Sequence, residues 1–125
     1  MNRLASMLLL AVAMLGCASG GTARSVALGQ PFTLQPGERV SLPGDASLRY
    51  LTIANDSRCP PDAQCIRAGD ADVLFEFTPA GGTTGRITLN TERMTSASIG
   101  AWQLQLVTLE QGDAPRATVR VDEAR

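Results

Sequence analysis

Beyond residue 30, apolar and polar residues alternate along much of the chain. The clearest run is Asp70 to Thr78, where Ala71, Val73, Phe75 and Phe77 share one face and Asp70, Asp72, Glu76 and Thr78 the other. Successive side chains on a strand point to opposite faces, so this pattern predicts a strand with one side in a core and the other in water. Ile87 and Leu89 alternate with Arg86, Thr88 and Asn90, and Ala117, Val119 and Val121 alternate with Thr118, Arg120 and Asp122. Trp102, Leu104 and Leu106 stand against Gln103 and Gln105, although Val107 and Leu109 blur the end of the run. Phe32 with Leu34, and Val40 with Leu42, predict two shorter strands joined at Pro36-Gly37. Leu48 to Ala54 is apolar at both parities, as expected of a strand near the middle of a sheet.

Between these runs lie turn signals: Gly29-Gln30-Pro31, Pro43-Gly44-Asp45, Cys59-Pro60-Pro61, Pro79-Ala80-Gly81-Gly82 and Gln111-Gly112-Asp113. No segment has the period of an amphipathic helix. The expected fold is all-β, an immunoglobulin-like two-sheet antiparallel sandwich of about seven or eight strands. The likeness extends to architecture only, because Cys59 and Cys65 are too close in sequence to bridge two sheets.

The amino-terminal segment follows different rules. Arg3 precedes the apolar run Met7 to Leu15, which has the length of a secretory hydrophobic region and is short for a bilayer span. Met14-Leu15-Gly16-Cys17 resembles the bacterial lipobox, in which the chain is cut before the cysteine and the cysteine is acylated. The resemblance implies a signal peptide over 1–16, a lipidated Cys17, a flexible Gly/Ser/Thr/Ala tether over 17–24 and one folded domain over 25–125. Ala18 beside the acylated residue favours, by resemblance to Gram-negative lipoproteins, the periplasmic face of the outer membrane over the inner membrane.

Removing 1–16 leaves ten arginines against twelve acids, a side-chain balance of −2, and the chain has no lysine. That is no footprint for nucleic acid. In an oxidising compartment Cys59 and Cys65 form a structural disulfide by default. Closing so short a loop contributes roughly 2.4 kcal/mol on the chain-entropy model. The bridge therefore shapes a loop more than it holds a fold.

The residues around those cysteines carry a second resemblance. Asp56-Ser57-Arg58-Cys59-Pro60, then Cys65-Ile66 and Ala68-Gly69-Asp70-Ala71, are similar to a motif of small bacterial exported proteins and lipoproteins that read Asp-Ser-Arg-Cys-Pro, several residues, Cys-Ile-Trp, then Gly and a strand. Arg67 stands where that family has an aromatic residue. The resemblance implies export and a β fold, and brings no activity with it.

The residue inventory argues against an enzyme. There is no histidine or lysine, there is one tyrosine, and no thiol stays free once Cys17 is acylated and Cys59–Cys65 is bridged. Nucleophile–histidine catalysis and histidine-dependent zinc sites are thereby excluded. Neither cofactor nor metal is expected. Rigid, closed loops lose little entropy on binding, so the candidate recognition surface is Asp56, Arg58, Pro60, Pro61, Asp62 and Arg67. The leading expectation is a monomeric, non-enzymatic envelope lipoprotein that binds the membrane through its lipid and contacts an envelope protein. Two alternatives are a protease inhibitor presenting an exposed Arg58-Cys59-Pro60, and a calcium-stabilised domain in which Asp56, Asp62, Asp70 and Asp72 converge.

Overall fold

The computed structural model describes residues 23–124, so Cys17 and the segment expected to be a signal peptide lie outside the described residues. Nine strands occur in this span: β1 (Arg24–Ser25), β2 (Phe32–Leu34), β3 (Arg39–Leu42), β4 (Ala46–Ala54), β5 (Asp72–Thr78), β6 (Gly85–Asn90), β7 (Ser96–Ile99), β8 (Trp102–Leu109) and β9 (Ala117–Glu123). One sheet has the order β1-β3-β4-β5-β6 and the other β2-β9-β8-β7. Every pairing is antiparallel except that of β1 with β3. Two strands, β1 and β7, have no counterpart in the alternation pattern. Ser96–Ile99 is too short and too polar to announce itself, and Arg24, expected in the tether, already pairs with Val40.

The inward faces of both sheets meet in one core. Leu48 and Tyr50 of β4, Val73, Phe75 and Phe77 of β5, Leu104 of β8, and Val119 and Val121 of β9 are all buried. Phe77 meets Trp102 of the opposite sheet edge-on, with ring centroids 6.3 Å apart. The Tyr50 hydroxyl donates across the core to the Pro115 carbonyl at 2.9 Å. Burial raises the pKa of that phenol above its usual value.

Two bulges explain where the sequence pattern blurred. The β4–β5 register shifts between Tyr50 and Thr52, so the inward set changes phase from Leu48 and Tyr50 to Ile53. The apolar residues at both parities of β4 record that shift, and β4 does lie at the centre of its sheet. A second bulge between Leu106 and Thr108 turns Val107 out to solvent. The Pro36-Gly37 turn joins β2 and β3, but it carries the chain from one sheet to the other, so the two strands are not a hairpin.

Strand directions define two poles. At one, called here the loop pole, lie the first described residues, the turn before β3, the long β4–β5 loop, the β6–β7 loop and the β8–β9 connection. At the other lie Pro43–Asp45, Pro79–Gly82, the β7–β8 hairpin with Trp102, and Ala124.

Candidate functional site

The loop between β4 and β5 begins at Asn55, whose φ of 51° lies in the left-handed region that asparagine tolerates. Its two limbs continue the pairing of the strands below: Ser57 N–H donates to Asp70 O at 2.8 Å and Cys59 N–H to Ala68 O at 2.9 Å. Gly69 makes that close approach possible. Its φ is 70°, and a Cβ at this position would be driven into the Ser57 carbonyl. Above the paired limbs Cys59 and Cys65 are bridged, with Cα atoms 5.8 Å apart.

Arg58 anchors the loop to the second sheet. Its guanidinium holds Asp56 through two bonds of 2.9 Å, and its remaining donors reach the carbonyls of Leu109 at 3.0 Å and Glu110 at 2.9 Å. The side chain is only 9% exposed. Hydrogen bonding from Arg58 holds the Asp56 carboxyl below its usual pKa. Gln111 adds a longer contact to the Cys59 carbonyl. Arg58 is therefore not the exposed bait that a protease-inhibitor reading requires, because the last carbonyls of β8 and their neighbour draw its planar fork inward.

A second polar knot lies beside the loop. Asn90 was expected on an outer face but is buried, because its amide donates to Asp70 at 3.1 Å and Asp72 at 2.9 Å. Its carbonyl oxygen accepts from the N–H groups of Glu92 and Arg93. Arg93 pairs with Asp70 at 2.9 Å, and Asn55 donates to Asp72 at 3.0 Å. The Asn55 and Asn90 amides hold the Asp72 carboxyl below its usual pKa.

Of the four carboxylates expected to converge on calcium, these contacts bring only Asp70 and Asp72 together. Asp56 faces Arg58, Asp70 and Asp72 face Asn90, and Asp62 stands exposed in the loop. No group of three or more acidic, cysteine or histidine residues suited to a metal ion occurs among the described residues.

Of the six residues assigned to recognition, Pro60, Pro61, Asp62 and Arg67 are displayed to solvent, whereas Asp56 and Arg58 are tied into the base. Ile66, outside that set of six, is fully exposed on the tip beside Arg67. Its signal was available, as a lone β-branched residue in a polar, proline-rich segment with no alternating partner. Below the tip, a cleft of about 500 Å³ runs between the loop base and β8, bordered by Arg58, Cys59, Gly69, Thr91, Val107 and Gln111. Comparisons with protein-family models, curated proteins and solved structures found no match to this chain.

Proposed function

We propose that this chain is a non-enzymatic lipoprotein of the bacterial envelope, anchored through Cys17 on the periplasmic face of the outer membrane, monomeric, and immunoglobulin-like in its layering alone. Its disulfide-closed loop is the surface that contacts a second envelope component. The observation that carries this reading is the contrast within the loop: a base fixed by Arg58, Gly69 and the Cys59–Cys65 bridge, and a tip that displays Pro60, Pro61, Asp62, Ile66 and Arg67. A stem ordered before contact loses little entropy on binding. The lipobox-like Met14-Leu15-Gly16-Cys17 supports the anchor, and the lack of histidine and lysine supports a non-catalytic role.

The test is intact mass and thiol titration of the protein purified from bacterial membranes. The expected result is a chain that starts at an acylated Cys17, with no titratable thiol until reduction. An unacylated mass would remove the anchor. Free Cys59 and Cys65 would remove the closed loop.

A further inference from the structure

We infer that the loop tip, Ile66 with Arg67, docks into the headgroup region of the bilayer that holds the acylated amino terminus, so that the component this loop contacts is the lipid surface itself. The inference rests on the proposed acylation of Cys17. It is carried by where the chain leaves the domain and by where the exposed apolar side chains lie.

From Cys17 to Arg24 the chain takes seven peptide steps, which reach at most about 25 Å. Arg24 lies level with Val40 and Leu48. From Leu48, β4 runs on to Ala54 towards the loop pole, five spacings of its partner β5 once the bulge is counted and so a rise of about 17 Å. The base of the loop stands within that reach, but its paired limbs run on through Ser57 and Cys59, about 15 Å further at strand spacing, so the tip lies beyond it. When the loop pole faces the bilayer, acyl chains on Cys17 enter it only if the tip is already at its surface.

The surface chemistry favours that orientation. The exposed large apolar residues among those described are Ile66, Met94 and Val107. Ile66 and Met94 are on the loop pole, in the β4–β5 and β6–β7 loops, and Val107 borders the cleft beneath the tip. Arg67 makes no ion pair among the described residues. Next to an inserted Ile66, its guanidinium reaches lipid phosphate while its stem lies along the acyl boundary. The other arginines near the tip are already spent on Asp56 and Asp70. The contact is therefore apolar first, with one cationic anchor, and not a polybasic adsorption.

The experiment uses the full lipidated chain carrying Ile66→Trp, reconstituted in vesicles of phosphatidylethanolamine and phosphatidylglycerol with brominated acyl chains. The native Trp102, at the opposite pole, serves as the internal reference. Docking predicts that the introduced indole loses emission to the bromine, as expected for a side chain about 5–10 Å into the headgroup and acyl boundary. Trp102 in the parent protein stays unquenched. On the same vesicles Ile66→Asp should restore tryptic cutting after Arg67, which the parent resists.

Ile66 is fully exposed, so neither variant should shift the melting temperature. An acylated chain whose introduced indole is not quenched overturns the docking and leaves the anchor standing. So does shielding of that indole by solubilised envelope proteins without lipid quenching. A chain with no acyl mass on Cys17 overturns the anchor, and the docking with it.

Discussion

Arg58 is the residue on which the loop turns, and its role is structural. It satisfies two main-chain carbonyls of the far sheet and both oxygens of Asp56, from a side chain that is nearly buried. Arg58→Ala should cost about 2 kcal/mol, the range for hydrogen bonds to a charged group, and lower the melting temperature by several degrees. Arg58→Lys should recover little, because an ammonium cannot span a carboxylate and two carbonyls in one plane. A melt unchanged by Arg58→Ala would return this residue to the recognition surface.

The Asp56 carboxyl, held below its usual pKa by Arg58, gives the same contact a pH signature. Its contribution is complete above the ordinary aspartate pKa of about 4 and fades as pH falls through the depressed folded value. The acid limb of a stability–pH curve should therefore flatten in Asp56→Asn below about pH 4, with no difference in slope between pH 5 and 7. Equal acid limbs would mean that the pair contributes nothing. That Asp56 and Arg58 can meet was legible from their spacing of two residues. The sequence could not say which way Arg58 points, because that depends on the carbonyls of Leu109 and Glu110, more than fifty positions away.

At the level of elements, the β4–β5 loop is a hairpin stretched past the edge of its sheet and closed by a bridge. Gly69 is its critical position. Gly69→Ala combines a left-handed φ with an overlap on the Ser57 carbonyl, so it should part the Ser57–Asp70 and Cys59–Ala68 pairings. Fast amide exchange at Ser57 and Cys59, with the core amides of β4 and β5 still protected, is the expected result. Retained protection at both would show that the limbs adapt without glycine. Alternation located β5, β9 and the Trp102–Leu106 part of β8 because each turns one clean apolar face inward. It placed β4 at the middle of a sheet, where the strand does lie, although a one-residue bulge also contributes to the apolar residues at both parities. Asn90 escaped it, since a polar residue that ends a strand looks solvent-facing until its partners, Asp70 and Asp72, are seen.

For the whole molecule, the two-sheet arrangement was legible from strand spacing and turn residues, whereas the sheet to which each strand belongs was not. Partner choice rests on long-range packing, and neighbours in sequence such as β2 and β3 part company at Pro36-Gly37. The pole that gathers the loop, Met94 and the first described residues was equally invisible, since it arises only once the strand directions are known. The placing of β9 has a further consequence. This strand lies between β2 and β8, with Phe32 opposite Val119. In a chain that emerges amino end first, β2 has no sheet partner until residue 117 and its neighbours appear. The second layer thus closes late, after a wait of more than eighty residues in which β2 has no strand beside it. Protection of that early segment from aggregation therefore falls to something other than the sheet it will later join.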